Sequence, residues 1–399
     1  MILCSLALPG LGAPWVQTTS LPDAYDNHSL VYASGYLYQA GGDSSNDGFP
    51  AGTNVFYAQV HSDGTIGSWN VATPLPEAVA FHAGVAANGF VYVLGGNHYN
   101  PVDGITISSA VYYAKINSDG SLGSWHTANP LPHLSQLLSA SAWNNRIYVV
   151  GGSDGNDLQN TVYSATIQTD GSLSAWVAQA PFPYGVYTQA EAANGMLYVL
   201  GGVTGDGSTI LNTVYYSKIN ADGTLAGWNQ TASLPQPESE FGAVAANGWV
   251  FSIGGWNVSG PTSSFYGASV KGDGSLASWS SGTSLPVPLF YHAVAASDSY
   301  IFVSGGGNND ATSSAVYSMA LPPPPAAPTL VSRSFTNGNF QLKLAATTNT
   351  GFGLLASTNL TSWTNIGWGF TGTNGTLLFQ DTNAASFPNR FYRAYWPLP

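Results

Sequence analysis

The side chains that could do acid–base chemistry are carboxylates rather than lysines or cysteines. The chain has 20 Asp and Glu residues against 8 Lys and Arg, and Cys4 is its single cysteine. Glu238 and Glu240 form the densest acidic segment (PESEF), and two carboxylates that flank a glycosidic bond are the catalytic pair of glycoside hydrolysis. Alternatively they are solvated loop acids, because nothing in the sequence fixes the distance between them.

Aromatic side chains are the second group with a chemical use. They make up 13% of the chain, and flat rings with few charges around them suit stacking on neutral sugars or packing against a protein. Several occur in segments expected to be surface loops, where binding residues concentrate. The candidate ligand-binding residues are Tyr99, Tyr184, Tyr187, Trp256, Phe290 and Tyr291.

Two patterns raise the question of a bound metal ion. His28, His82 and His292 stand at the same distance before a Gly-Gly pair, and three imidazoles could hold zinc. Equivalent positions of separate repeats lie too far apart for one ion, so we interpret these histidines as framework residues and expect no metal centre and no cofactor. Calcium remains an alternative in the Asp-rich loops, although Asp beside Gly, Ser and Asn is also ordinary turn chemistry.

Six repeats must position these side chains. Both a Gly-Gly series and a tryptophan series advance by 50 to 56 residues. The pairs begin at Gly41, Gly95, Gly151, Gly201, Gly254 and Gly305, and the tryptophans are Trp15, Trp69, Trp125, Trp176, Trp228 and Trp279. A period near 50 residues with several short strand-like runs is typical of one blade of a β-propeller.

Each repeat predicts the same order of strands. In the second repeat, residues 82–87 are small and suit a crowded innermost strand, and residues 90–94 are apolar and end at Gly95. Residues 110–116 then precede a hairpin turn at Asp119-Gly120. The sixth repeat lacks the last strand, and residues 15–22 supply one. The sequence therefore predicts an all-β fold, a six-bladed propeller closed by an N-terminal strand that removes exposed sheet edges.

Within this pattern, Glu191 stands at a position that is otherwise apolar or small. It lies ten residues before its Gly-Gly pair, on the predicted innermost strand. The other repeats have Val31, Val85, Ser141, Val244 and Ala295 there. A carboxylate so near the axis should have a raised pKa or a bound partner. Glu191 is either a channel-lining acid or ion ligand, or a structural carboxylate bonded to backbone amides or water.

The repeats resemble those of kelch-type propellers, the group that includes galactose oxidase and the kelch-like repeat proteins. The resemblance rests on Gly-Gly with Tyr or Phe three residues before it and Trp 25–30 residues after it, over residues 15–321. It implies a propeller that binds partners through its loops, with scaffolding as the precedent. The propeller lacks the cysteine that the Tyr–Cys cofactor of galactose oxidase needs, and it lacks the Arg that many kelch repeats carry near the start of the inner strand.

The chain divides into four segments. Residues 1–13 are apolar, too short for a membrane span, and are interpreted as a signal remnant. Residues 14–320 form the propeller, residues 321–328 (LPPPPAAP) a semi-rigid linker, and residues 329–399 a predicted small β-sandwich. The closing segment FPNRFYR resembles a C-terminal module of secreted Verrucomicrobia–Planctomycetes proteins, which implies an extracellular or cell-surface location.

Composition excludes several classes of partner. Only 7% of residues are charged, against about 25% in an ordinary globular protein, and the net charge is −12. Phosphate contacts need a basic surface, so we expect no nucleic-acid partner. We also expect no membrane insertion, because no segment is long and apolar enough. No phosphate-binding loop or nucleophile motif occurs in a supporting context.

A non-catalytic role is favoured over an enzymatic one. We expect a secreted or cell-surface binding or scaffolding protein that recognises a neutral glycan or a protein through the loop face of the propeller. One alternative is a glycan-active hydrolase or lyase that uses Glu191, Glu238 or Glu240. Another is a structural surface protein that self-assembles. A deep pocket that converges on a carboxylate would indicate the enzyme, and a shallow aromatic rim would indicate the binding module.

Overall fold

The computed structural model describes residues 11–44, 51–100, 104–205, 207–308, 311–321, 328–346, 351–360 and 363–395. Within these ranges nearly all regular structure is β-strand, and a short 3-10 turn covers Ala384–Ser386. No described helix is long and apolar enough to cross a membrane.

Six four-stranded antiparallel sheets occupy the repeat region. Sheet I contains Ser29–Ala33, Tyr36–Ala40, Val55–Gln59 and Asn70–Val71, and sheet II contains Ala83–Ala87, Phe90–Leu94, Val111–Ile116 and Leu122–Thr127. Sheet III contains Ser139–Trp143, Arg146–Val150, Val162–Thr166 and Val177–Ala178, and sheet IV contains Val186–Ala193, Met196–Thr204, Thr209–Lys218 and Asn229–Gln230. Sheet V contains Gly242–Ala246, Trp249–Ile253, Phe265–Ser269 and Ser280–Ser281.

Sheet VI is assembled from both ends of the repeat region. Its strands are Ala293–Ala296, Tyr300–Ser304, Val316–Ala320 and, from the start of the chain, Val16–Gln17. Val16 pairs with Ser318, and the N–H of Thr18 donates to the carbonyl of Val316 at 2.8 Å. The N-terminal strand therefore completes the last sheet, as the missing strand of the sixth repeat predicts.

The first strands of the six sheets surround an axis. Each contacts the first strand of the next sheet in the order I to VI, and that of sheet VI contacts that of sheet I. Each pair of neighbouring sheets also encloses its own cluster of buried apolar side chains, which gives six clusters. Burial of apolar surface between sheets, rather than within one sheet, therefore holds the arrangement together.

The repeated aromatic residues join neighbouring sheets by hydrogen bonds. The Tyr38 hydroxyl donates to the carbonyl of Gly120 at 2.9 Å, so that the second strand of sheet I holds the Asp-Gly turn of sheet II. Tyr92, Tyr148 and Tyr198 do the same to Gly171, Gly223 and Gly274. The repeated tryptophans donate their indole N–H groups to main-chain carbonyls of the preceding repeat. Trp15 continues this series across the chain ends, because its Nε1 donates to the carbonyl of Thr283 at 2.8 Å.

Three short two-stranded ribbons extend from one face. They pair Tyr25–Asp26 with Asp43–Ser44, Asn97–Asn100 with Gly104–Ile107, and Trp256–Asn257 with Gly260–Pro261. We call this face the loop face, because it carries the segments after Gly-Gly and the connections between sheets. The opposite hairpin face carries the turns between first and second strands and the Asp-Gly turns.

The C-terminal residues form two three-stranded sheets. One contains Thr329–Thr336, Asn339–Ala345 and Thr376–Asp381, and the other contains Gly351–Ser357, Thr364–Phe370 and Phe391–Tyr395. Leu344, Phe352, Leu354 and Phe379 form their common apolar cluster. Residues 322–327 of the predicted linker lie outside the described residues.

Candidate functional site

One residue from each repeat surrounds the axis at the loop face. It stands fourteen positions before the Gly-Gly pair, and in five of the six repeats it lies just ahead of the first strand of its sheet. These residues are Asn27, Phe81, Leu137, Tyr187, Glu240 and Tyr291, which we call the loop-face ring. All six residues line a cavity of about 90 Å³.

Main-chain hydrogen bonds link the loop-face ring from one sheet to the next. The N–H of Phe81 donates to the carbonyl of Asn27 at 3.0 Å, and that of Leu137 donates to Phe81 at 2.9 Å. The N–H of Tyr291 donates to Glu240 at 3.0 Å, and that of Asn27 donates to Tyr291 at 3.1 Å. Main-chain hydrogen bonds therefore link five consecutive members, and these bonds do not depend on which side chain each member carries.

This arrangement requires a strained backbone. Asn27, Phe81, Leu137, Glu240 and Tyr291 have φ values between 52° and 57°, a region that large side chains rarely adopt and that costs about 1–3 kcal/mol per residue. Strain of this kind persists where the surroundings impose it and is frequent at binding sites. Tyr187 differs because it lies inside strand Val186–Ala193, beside a register shift in the pairing of that strand.

Four aromatic rings run across the loop face in contact. Trp256 meets Phe290 edge-on with ring centroids 5.1 Å apart, Phe290 lies 5.5 Å from Tyr291, and Tyr291 meets Phe81 edge-on at 5.6 Å. We call Trp256, Phe290, Tyr291 and Phe81 the aromatic row. All four side chains are half-buried, so they pack together while keeping accessible surface.

Glu240 is the acid of this region, and the aromatic row affects its titration. Burial raises the pKa of the Glu240 carboxyl, and a hydrogen bond with Tyr291 lowers it in part. Burial followed by the nearby Glu240 charge raises the pKa of Tyr291 well above its usual value. Burial likewise raises the pKa of Tyr187, with further contributions from Tyr291 and Glu240. The two phenols therefore stay protonated and can donate hydrogen bonds beside a carboxylate.

Glu238, two residues away, has a different environment. It is fully buried and accepts hydrogen bonds from Gln236 at 3.1 Å, from Ser252 at 3.1 Å and from Ser264 at 2.6 Å. A carboxyl with no accessible surface and three donors is a structural group and cannot touch a substrate in this conformation. Glu238 and Glu240 therefore do not face one groove together.

Tyr184 and Tyr99 stand apart from the aromatic row. Tyr184 packs on Phe182 with ring centroids 5.0 Å apart, and its hydroxyl hydrogen-bonds with Thr213 at 2.9 Å, so this side chain folds back over its own sheet. Tyr99 belongs to strand Asn97–Asn100, and its side chain lies outside the described residues. Of the predicted ligand-binding residues, the structure brings together Tyr187, Trp256, Phe290 and Tyr291.

The three histidines lie beneath the loop-face ring, packed against glycines. His28 Nε2 lies 2.8 Å from Ser304 Oγ, and His82 Nε2 lies 2.9 Å from Ser29 Oγ. The imidazole of His82 covers Gly41 of the preceding repeat so closely that a Cβ there would lie 2.9 Å from the ring. Burial lowers the pKa of His28 to about 3 and that of His82 and His292 to about 4, so all three are neutral at pH 7.

The Asp-rich loops show turn hydrogen bonds where they are described. Asp154 Oδ1 accepts from the N–H groups of Asn156 and Asp157, both at 2.9 Å. Asp47, Asp103, Asp206 and Asp310 lie outside the described residues. Among the residues that are described, no group of three or more His, Cys, Asp or Glu side chains is placed to hold a metal ion.

Glu191 lines a second, larger cavity on the same axis. This cavity has a volume of about 590 Å³ and opens between the turns of the hairpin face. At the level of Glu191 its wall is formed by Val31, Val85, Ser141, Val244 and Ala295, which are the equivalents that the repeat alignment predicts. Burial raises the pKa of Glu191 to about 8, partly offset by a hydrogen bond with Ser141.

Comparison with known proteins is consistent with this architecture. The Kelch motif model matches residues 137–164. Kelch-like protein 23 of Mus musculus is 24% identical over 281 residues, which cover 70% of this chain and 45% of that protein. The solved structure of YjhT has a TM-score of 0.60 at 14% identity and covers 76% of this chain and 96% of that one. These comparisons support a kelch-type propeller.

Other similar proteins match a smaller part of this chain. Kelch repeat and BTB domain-containing protein 12 of Danio rerio is 29% identical over 42% of this chain and 28% of its own length. Beta-scruin of Limulus polyphemus is 25% identical over 48% of this chain and 21% of its own length. This chain thus spans less than a third of the length of these two curated relatives.

Sequence reasoning missed three members of the site, Asn27, Phe81 and Leu137. Their signal was present, because all three occupy the repeat position of Tyr187, Glu240 and Tyr291. What the sequence could not show was the positive φ at that position, since Phe and Leu are unusual there. Aligning the six repeats by their Gly-Gly pairs, rather than looking for exposed aromatic residues, would have found the loop-face ring.

Proposed function

We propose that this chain is a non-catalytic binding module that takes a protein partner on the loop face of its propeller. The observation that carries the proposal is the aromatic row, which shares Phe81 and Tyr291 with the strained, backbone-linked loop-face ring. Rings at fixed positions with polar tips, such as Tyr187 and Tyr291, give a large contact area for little loss of side-chain entropy, as in protein hot spots. Kelch repeat proteins are typically protein-binding scaffolds, which supports the same conclusion.

The number of blades, the C-terminal module and the location of the protein are part of the same proposal. The six sheets are the six blades of one ring, and the two C-terminal sheets form a small β-sandwich that spaces or anchors the propeller. A secreted or cell-surface location follows from the likeness of the C-terminal segment to modules of exported proteins. A neutral glycan is the other ligand that such an aromatic surface would suit.

The arrangement of carboxyl groups argues against glycan hydrolysis. Glu240 is the one acid of the loop-face ring, and the cavity there is about 90 Å³, too small to enclose a sugar ring and its flanking groups. Glu238 is fully buried. The large cavity at Glu191 has no second carboxyl among its described lining residues, whereas hydrolysis needs a pair.

Affinity capture with paired variants tests the proposal. The immobilised wild type is compared with Trp256→Ala and Phe290→Ala, which remove rings of the aromatic row, and with Val71→Ala, which removes an outer-strand side chain that is 79% exposed. We expect one protein to be enriched from an extract of the native organism by the wild type and Val71→Ala. The amount of this protein captured by the two ring variants should be lower by tenfold or more, as expected when a hot-spot residue is removed.

The same proteins are run through gels cast with neutral polysaccharides, and each mixture is sampled for chain length. Retardation that Trp256→Ala removes would assign a glycan as the ligand instead. Shortening of any polysaccharide by the wild type would overturn the non-catalytic proposal. Equal capture by all four proteins would show that the loop face is not the binding surface.

A further inference from the structure

The axial cavity on the hairpin face is a second site, separate from the loop face. Its volume of about 590 Å³ lies in the range of small-molecule sites. All of its described lining residues come from the first strands of the sheets and the turns that follow them. The turns at its mouth contribute Ser34, Asn88, Asn144 and Asn145, so a ligand would pass a polar rim to reach an apolar interior.

The interior has one charged group and no counter-ion. Around the level of Glu191, Val31, Val85, Val244 and Ala295 present aliphatic surface. No Lys, Arg or His is among the described residues that line this cavity. A carboxylate in such surroundings attracts a cation, because no neighbouring base among the described lining residues neutralises its charge.

The hydrogen bonds of Glu191 leave room for a ligand. Among the described residues Ser141 is its hydrogen-bond partner, and the same Ser141 Oγ accepts from the N–H of Ala192 at 2.9 Å. The hydroxyl therefore has its one proton free to donate to Glu191. The structural carboxylate Glu238 has three donors, so Glu191 is poorly satisfied by comparison.

We propose that this cavity binds an organic ammonium cation with an alkyl body, with the Glu191 carboxylate as its counter-ion. A single carboxylate and one hydroxyl supply too few oxygen atoms for calcium, which takes six to eight, or for magnesium. An ammonium group needs few acceptors, and its alkyl chain gains from contact with the valine ring. The net charge of −12 attracts cations to the protein as a whole.

Proton release accompanies this binding. The pKa of Glu191 is about 8 without a ligand, so the carboxyl is mostly protonated at pH 7 and must ionise to pair with the cation. The alkylammonium group keeps its proton below pH 9, as a lysine does. Affinity should therefore rise about tenfold from pH 7 to pH 9 and level off above the pKa of the carboxyl.

Isothermal titration with n-hexylammonium chloride and with 1-hexanol, at pH 6 to 9, tests the proposal. We expect one site for the ammonium ion, affinity that rises with pH, and binding of the alcohol at least tenfold weaker. Glu191→Gln should remove the binding and its pH dependence. Glu77→Gln, the same substitution in a connection on the loop face, should retain both.

Several outcomes would overturn the proposal. The first is that the wild type does not bind hexylammonium at pH 9, and the second is that it binds hexanol with equal affinity. The third is that Glu191→Gln binds hexylammonium as tightly as the wild type. The fourth is that an equal concentration of sodium ions displaces hexylammonium. The pH series and the alcohol comparison use the wild type, so they decide the matter even if Glu191→Gln does not fold. This site is independent of the loop face, so failure of the cation-binding proposal would leave the proposed protein binding unaffected, and the reverse also holds.

Discussion

At the scale of single residues, this propeller handles buried polar groups in three ways. Glu238 is satisfied by three hydrogen bonds, and Glu191 faces an open cavity with one described donor. The histidines are kept neutral, because burial makes protonation costly. Each solution has a different consequence for stability as the pH changes.

The buried histidines should make the protein sensitive to acid. The pKa of His292 is about 4 in the folded chain and about 6.5 in an unfolded one. Between these values the unfolded chain binds a proton that the folded one does not, so stability is lost as the pH falls from 6.5 towards 4. His292→Leu should remove this contribution, since the equivalent residue of the third repeat is Leu138.

Urea unfolding of the wild type and His292→Leu at pH 7 and pH 5 measures this effect. When the pH falls from 7 to 5, the free energy of unfolding of the wild type should decrease by about 2 kcal/mol more than that of the variant. The reason is that one histidine contributes about 1.4 kcal/mol per pH unit. A parallel loss in both proteins would show that His292 is not buried in its neutral form.

At the scale of elements, the first glycine of each Gly-Gly pair lies in close contact with the segment that leads into the next sheet. Gly151 has φ 61°, and a Cβ there would lie 2.3 Å from the carbonyl oxygen of Val186, at the start of the next sheet. That oxygen accepts the N–H of Gly152 at 3.0 Å, so it cannot move away freely. The pair therefore ends one strand and fixes the beginning of the neighbouring sheet.

We expect Gly151→Ala to destabilise the propeller by about 3 kcal/mol or more, through a steric clash added to backbone strain. Gly89→Ala is the matched control, because Gly89 has φ 81° but open space where its Cβ would be. That variant should be destabilised only by the cost of placing an alanine in the left-handed conformation, about 1–2 kcal/mol. Chemical unfolding measures both, and equal losses would mean that the clash is relieved by movement of Val186.

The fold was largely predictable from sequence and the site only in part. The Gly-Gly pairs and the tryptophans recur with the same period and so locate the sheets, because each occupies the same structural position in every repeat. The loop-face ring was hidden because its main-chain conformation is repeated while its side chains are not. Glu191 was recognised as unusual by comparison with its equivalents, but the cavity beside it depends on five other strands, which no local pattern describes.

At the scale of the whole molecule, both proposed sites exist only when the six sheets surround the axis. The loop-face ring takes one residue from each repeat, and the aromatic row joins sheet II to sheets V and VI. Closure depends on the short strand Val16–Gln17 and on Trp15, whose indole packs edge-on against Phe265 with ring centroids 5.6 Å apart. Weakening this junction should therefore affect the entire ring.

The main-chain bond of Thr18 isolates the contribution of closure. Thr18→Pro removes the N–H that donates to Val316 and leaves that carbonyl without its partner, which costs about 1–3 kcal/mol. Thr18→Val is the control, since both variants lose the hydroxyl that accepts the N–H of Ile66 at 2.9 Å. The difference in thermal unfolding between the two variants then reports the loss of the backbone bond together with the effect of the proline ring on the backbone. If the six sheets unfold as one unit, Thr18→Pro should lower a single transition. Separate melting of sheet VI, with the rest unchanged, would show instead that the ring does not need its closing strand.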